Sequence, residues 1–381
     1  MKIRFEKSKM LDKLVCAMGA VSQKNTHPFT GGVLLETAEN TLKLSTYDME
    51  KSVRASIECE VSVPGACVIN AQRLLSIIKI MPESLITLDV NEDMVASIKS
   101  GRSSFSVHAL PAKDFPQMPV IVGKESFTIE QRVLKKLIGK VLHSIAQVDQ
   151  RPVLCGAYFK IEKDTVQVVS CDSYSLSLCQ YSTPILSLAE ESSHFSFIIP
   201  GKTINELLRM LSDEENVFVT VVVTNKNIIF NMENLIFSSR LVEGEYIDYD
   251  RLIPRDQPIT AELETKEFLA ALERAALISE ERIVGTARNY VKLSFIGDAL
   301  QITSKSLSGN VYEEIPIAHT GDDLDIGFSC RFLIDTMRAV RGDRVLLKLL
   351  TPYMSMTIEP ITSDEDEGKC IYMVLPLRMK E

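Results

Sequence analysis

Tryptophan is absent from this chain of 381 residues, and aromatic side chains make up only 7% of it. A surface that stacks unpaired bases needs a supply of rings, so binding to single-stranded nucleic acid is not expected. Histidine is scarce too: His27, His108, His143, His194 and His319 occur, no two at a metal-ligand spacing, and no metal site is expected. No window approaches the ~18 apolar residues of a membrane span. The opening MKIRFEKSKMLDK passes straight into an amphipathic pattern rather than a secretion-signal core, which makes the cytoplasm the expected location.

Catalytic signatures are equally lacking. The sequence contains no GxGxxG, no GxxxxGKS/T, no HExxH and no GxSxG, so neither a cofactor nor a nucleotide is expected. The eight cysteines include no CxxC pair and lie scattered among apolar residues, which reads as reduced core thiols. The best candidate for an enzyme is Cys171 followed by Asp172 in VVSCDSYSLSLC, with His143 as a base, because a thiolate needs a cation or base nearby. The plainer reading is a small thiol at the end of a buried strand.

What the chain has is a core-forming composition, 45% hydrophobic and 24% charged, at a length that calls for two or three domains. Its formal charge of −9 argues against a protein that coats nucleic acid, while leaving room for a local basic face. An internal repeat then organises the sequence. Ile204, Leu207, Leu208 and Leu211 fall at i, i+3, i+4 and i+7, the apolar stripe of a helix, with Arg209 on the far side. Leu74, Ile77, Ile78 and Met81 repeat the spacing with Lys79 outward; Leu333, Met337 and Val340 repeat it with Thr336 in the stripe and Arg338 outward.

A second helix precedes each of these. The stripes are Leu11, Leu14, Val15 and Met18; Leu134, Leu137, Ile138 and Val141; and Phe268, Ala271, Leu272 and Ala275. Cations such as Lys136 and Lys140 occupy their polar sides. Alternating runs at Thr41–Ser45, Phe105–Ala109, Thr165–Val169 and Val291–Phe295 read as strands with one buried face. The fold expected is α+β, with helices on one face of antiparallel sheets, in three similar domains: 1–124, 125–255 and 256–381. The run Ser363-Asp-Glu-Asp-Glu367 reads as a solvated hairpin loop. Six outward basic helix faces in an acidic chain suit the phosphate backbone of duplex DNA, contacted without sequence readout.

Several segments resemble one family closely. SGRSSFSVHALPAKDFP at Ser100–Pro116, RPVLCGAYF at Arg151–Phe159, CDSYSLSLC at Cys171–Cys179, LVEGEYIDYDRLIP at Leu241–Pro254 and YMVLPLRM at Tyr372–Met379 are similar to the bacterial DNA polymerase III beta subunit, the sliding clamp. The resemblance covers essentially the whole chain and its three-unit plan. It implies a non-enzymatic processivity factor: two chains closed head to tail around duplex DNA, helices lining the hole and sheets outside. Its implied partners are the replicative polymerase catalytic subunit, a separate ATP-driven clamp loader and other proteins bearing the same short motif, with no membrane.

The resemblance also implies site residues. A partner-peptide pocket would have walls from Leu154, Cys171, Leu176, Ile247, Arg251 and Leu252, and from Met373, Leu375, Pro376, Leu377 and Arg378, with Phe332 and Ser355 nearby. Such apolar walls with one or two cations suit a short peptide carrying Leu, Phe and Gln. Lys24 is implied to touch DNA, as are Gln150 and Arg151, beside the helix cations Arg73, Lys79, Lys136, Lys140, Lys202, Arg209 and Arg338. Phe105 and Val107 of one chain would meet Leu277 and Ile278 of the other. The chain departs from the family at Tyr174-Ser175, where members usually carry His-Arg, and at Ile247, usually a proline, so the rim loses a cation and partner preference is expected to shift.

Overall fold

The computed structural model describes residues 1–22, 29–118, 125–162, 164–182, 186–187, 194–279, 290–307, 309–362 and 368–379. Lys24, the expected boundary at 124 and the acidic run 363–367 lie outside the described residues.

The local unit is a strand that runs into a helix with at most one residue between, and it occurs six times among the described residues. Helix α1 (Lys7–Ala17) follows strand Lys2–Glu6, α2 (Ala71–Ile80) follows Ala66–Asn70, and α3 (Gln131–Val141) follows Glu125–Glu130. Helix α4 (Gly201–Met210) follows His194–Pro200, α5 (Thr265–Ser279) follows Ile259–Glu264, and α6 (Cys330–Ala339) follows Leu324–Phe328. At α2 the start is fixed by Asn70, whose side chain accepts the Arg73 N–H at 2.9 Å, so a free helix-end donor is satisfied. Its end is fixed by Met81, which turns extended ahead of Pro82.

Five of the six apolar stripes are as read. Leu74, Leu134, Leu207, Phe268 and Leu333 are all buried. The first is corrected: α1 buries Met10, Leu14 and Ala17, while Val15 is 51% exposed. The two phases share Leu14, and Met10 with Ala17 makes an equally regular i, i+4, i+7 row one residue earlier. Helices α1 and α2 lay these rows on Ile3, Phe5, Leu35 and Leu88 from the strands, forming one continuous apolar core. The strands expected at Thr41–Ser45, Phe105–Ala109, Thr165–Val169 and Val291–Phe295 are present. His108 and His194 lie on strands and are exposed.

By packing, the described chain falls into two compact units: 1–132 with 186–192 and 205–241, and 133–185 with 193–204 and 242–381. The first unit holds a five-stranded and a ten-stranded sheet; the second holds a nine-stranded and a four-stranded sheet. In each unit the larger sheet joins strands far apart in sequence. Leu235–Arg240 pairs antiparallel with Lys51–Glu58 in the first, and Ser175–Ser182 with Lys369–Val374 in the second.

That second junction corrects the cysteine reading. Its register sets Cys179 opposite Cys370 with Cα atoms 4.2 Å apart, and the two form a disulfide. Alternating residues in two strands face each other at the closer of the two antiparallel spacings, which brings thiols that the sequence scatters into bonding range. The other six cysteines are free thiols.

Candidate functional site

The second unit carries an apolar cluster built on its nine-stranded sheet. Register does the assembly: Cys171 pairs with Leu176 across one strand boundary, and Leu176 with Met373 across the next. Partners in adjacent strands point to the same face, so the three side chains form a row. Leu154, from a short turn at Pro152–Cys155, joins them, with Val169, Leu178, Ile198 and Tyr246. Leu154 and Leu176 have no exposure, and Cys171 and Met373 only 5% each.

The rim is more open. The segment 242–253 alternates apolar and acidic residues: Ile247, Tyr249 and Ile253 pack on the cluster, while Asp248 and Asp250 face solvent. Leu252 next to them is 46% exposed, and Leu375 at the end of the row is 40% exposed. Arg251 projects into water and pairs with Asp248 at 2.9 Å. The last described residues turn away from the sheet: Leu375 N–H donates to the Tyr174 carbonyl at 2.9 Å, and Leu377 N–H to the Gly327 carbonyl at 2.8 Å. Pro376 and Leu377 are half-buried along that path and Arg378 is exposed. Ser355 is buried and its carbonyl accepts from the Gln257 side chain at 3.0 Å.

The rim turn at Tyr174 is held from several sides. Asp172 accepts the N–H groups of Tyr174 and Ser175 at 2.9 and 2.7 Å, and Ser173 takes a positive φ of 76°. Arg151 is exposed and bonded beside this turn: it donates to Ser173 at 2.6 Å and to Asp149 at 3.1 Å. Those bonds hold the Asp149 carboxyl below its ordinary range. The Tyr174 ring stacks on half-buried Phe332 with centroids 5.3 Å apart. Gln150 beside Arg151 is exposed.

Of the residues implied by the resemblance, Leu154, Cys171, Leu176 and Met373 lie together in this cluster, and Leu252 and Leu375 are exposed at its edge. Sequence reasoning missed Tyr246 and Tyr158, whose rings stack at 5.2 Å beside the row, as well as Val169 and Ile198. The signal available in the sequence is the alternation Ile247-Asp-Tyr-Asp250, which marks a segment with one buried side.

The catalytic alternative fails on geometry. Cys171 lies on the Leu176 face of the sheet, whereas His143 bonds Ser177 at 3.3 Å and lies against Tyr372, both on the opposite face. Burial pushes the Cys171 thiol up, away from the thiolate a nucleophile needs, and lowers His143 to about 4. Among the described residues no group of three or more His, Cys, Asp or Glu is arranged to hold a metal ion.

The helix cations divide by exposure. Arg73, Lys79 and Arg209 in the first unit and Lys202 and Arg338 in the second are exposed. Arg209 pairs with Glu206 at 3.3 Å and Arg338 with Glu273 at 2.8 Å. Lys136 is half-buried. Lys140 is corrected: it is only 5% exposed, because it follows Val133 by seven residues, two helical turns, and shares the buried edge of α3. Of the expected contact pair, Phe105 stands on the edge strand Ser103–His108 at 36% exposure, while Val107 is buried in the first unit's core. Leu277 near the end of α5 is 80% exposed and Ile278 half-buried.

Comparison with known proteins agrees with this plan along the whole chain. Residues 1–119, 128–248 and 250–378 match the N-terminal, central and C-terminal domains of the DNA polymerase III beta subunit. The beta sliding clamp of Salmonella typhimurium is 31% identical and that of Bacillus subtilis 28%, covering 100% and 99% of this chain and all of each relative. Crystal structures of the Bacillus subtilis sliding clamp and of the Pseudomonas aeruginosa clamp bound to griselimycin each superpose with a TM-score of 0.90, at 26% and 27% identity and full coverage of both chains. This chain therefore belongs to the DNA polymerase III beta subunit family, the bacterial beta sliding clamps.

Proposed function

We propose that two copies of this chain close head to tail around duplex DNA and, without catalysing any reaction, keep a replicative DNA polymerase at its template. The mechanism is effective concentration: a polymerase that lets go stays tethered near the primer end and rebinds. Each copy would contribute three domains, near 1–124, 125–255 and 256–381. The observation that carries this reading is the strand-to-helix unit written six times, with exposed cations on α2, α4 and α6 of a chain whose net charge is −9. Phosphate is attracted locally and weakly, which suits sliding.

Arg73, Lys79, Lys136, Lys202, Arg209 and Arg338 would face the duplex, with Lys24, Gln150 and Arg151 beside it. Phe105 of one copy would meet Leu277 and Ile278 of the other. The apolar cluster at Leu154, Cys171, Leu176 and Met373, rimmed by Ile247, Arg251, Leu252, Leu375, Pro376, Leu377 and Arg378, would take a short motif from the polymerase catalytic subunit, the clamp loader and other partners. No helix among the described residues is long and apolar enough to cross a membrane, and the cytoplasm is the proposed location.

The test is loading onto nicked circular DNA followed by gel filtration. The protein is expected to stay with the circle and to leave once the DNA is cut. Release from intact circles would overturn the ring.

A further inference from the structure

Leu176 forms the floor of the apolar site, and its two neighbours point the other way. Ser175 and Ser177 are 2% and 0% exposed, on the opposite face of their strand. Both reach one atom: the Ser144 hydroxyl lies 3.0 Å from that of Ser175 and 2.8 Å from that of Ser177. Ser144 is wholly buried and ends the short turn Leu142–Ser144 that follows α3. The hydrogen-bonded chain continues at both ends. The Ser175 hydroxyl, whose one proton serves either Ser144 or Asp172, also lies 3.1 Å from Asp172 Oδ1, and that of Ser177 lies 3.3 Å from His143 Nε2.

We propose that Ser144 is a positioning residue for the peptide site: bonded to Ser175 and Ser177, it sets the height and tilt of the strand between them and so the placement of Leu176 against Cys171 and Met373. The proposal rests on the reading of that cluster as a peptide pocket. A buried apolar side chain in place of Ser144 would fill the same space without direction, because dispersion contacts tolerate small slides. Hydrogen bonds lose strength over a few tenths of an ångström and by angle. Two strand hydroxyls tied to one turn hydroxyl therefore specify one register of turn against strand.

The same geometry explains why removing Ser144 should not unfold the protein. Ser175 keeps Asp172 and Ser177 keeps His143, so neither hydroxyl is stranded without a partner. Only the tie between them disappears.

The experiment uses the full-length protein and a fluorescein-labelled peptide carrying the Gln, Leu and Phe motif of the polymerase catalytic subunit from the same organism, with affinity read by anisotropy and melting by circular dichroism. Ser144→Ala is expected to weaken binding about five- to tenfold while the protein stays folded, and Ser144→Cys to recover part of the loss. The double variant Ser144→Ala with Ser175→Ala is expected to lose less than the product of the two single losses, since the Ser144–Ser175 bond is removed in both. Unchanged affinity in folded Ser144→Ala, with binding lost in the Leu176→Ala control, would overturn the positioning role and leave the pocket standing. Independent, multiplying losses in the double variant would overturn it too. Unchanged affinity in Leu176→Ala would overturn the pocket and the positioning role together. Should Ser144→Ala fail to fold, wild-type affinity in both Ser144→Cys and Ser175→Ala is the overturning result.

Discussion

Leu176 and Met373 stand directly opposite each other across the junction of strands Ser175–Ser182 and Lys369–Val374, which come from the middle and the end of the chain. The floor of the apolar site is therefore made when two distant segments pair. A fragment that lacks either strand lacks the floor.

Burial separates the residues of this site into two kinds, with different consequences for substitution. Leu252→Ala and Leu375→Ala remove side chains that are nearly half exposed, so stability should change by no more than about 0.5 kcal/mol. Leu176→Ala leaves a cavity under a side chain with no exposure and should cost about 2–5 kcal/mol. All three should weaken a bound partner peptide. Chemical denaturation and peptide titration on the same samples check the split; equal stability loss in all three would contradict it.

Most helices of this fold are legible in the sequence because their stripes are long and regular, and a period of 3.6 leaves one phase that fits. At α1 two phases fit, and the choice between Val15 and Ala17 is settled by packing against the strands rather than by α1 itself. Lys140 shows a second limit: a charged residue reads as outward until its position is compared with Val133 two turns earlier. Strand pairing is not legible. Alternation says that Leu235–Arg240 and Lys51–Glu58 are strands, but a period of two carries no information about which strands meet. For the same reason Cys179 and Cys370 read as separate thiols, and the row Cys171, Leu176, Met373 is reached only through resemblance.

The disulfide gives a direct count. Thiol titration of the unfolded, unreduced protein should find six groups, and eight after reduction. Peptide mapping without reductant should recover Cys179 joined to Cys370. Eight thiols before reduction would refute the bond. In the native protein Cys171 should react slowly with iodoacetamide near neutral pH, since burial keeps it a protonated thiol.

His143 should make stability depend on pH in a definite window. Its folded value is lowered from 6.5 to about 4 by burial, so the unfolded chain takes up a proton first. The stability this neutral imidazole contributes is complete above about pH 6.5 and is lost as pH falls toward about 4, by at most about 3 kcal/mol. Carboxylates contribute to acid unfolding as well, but they are common to wild type and His143→Gln. The difference between the two proteins should shrink by this amount from pH 7 to pH 4; a constant difference would show that His143 does not titrate there.

The helix cations should differ in salt dependence according to their exposure. For every phosphate that a variant no longer neutralises, the plot of log affinity for duplex DNA against log salt should flatten by about 0.9. Lys79→Ala, exposed on α2, is expected to lower the slope by about that much, whereas Lys140→Ala, buried on α3, should leave it unchanged. Arg209→Ala and Arg338→Ala break exposed ion pairs with Glu206 and Glu273, and such pairs contribute only about 0–1 kcal/mol, so melting temperatures should hardly move. Both pairs also compete with phosphate for the guanidinium. Removing the acid instead, with Glu206→Gln or Glu273→Gln, should raise DNA affinity at low salt and lose that advantage as salt screens the charges. An unchanged affinity in both glutamine variants would mean that Arg209 and Arg338 do not meet the duplex.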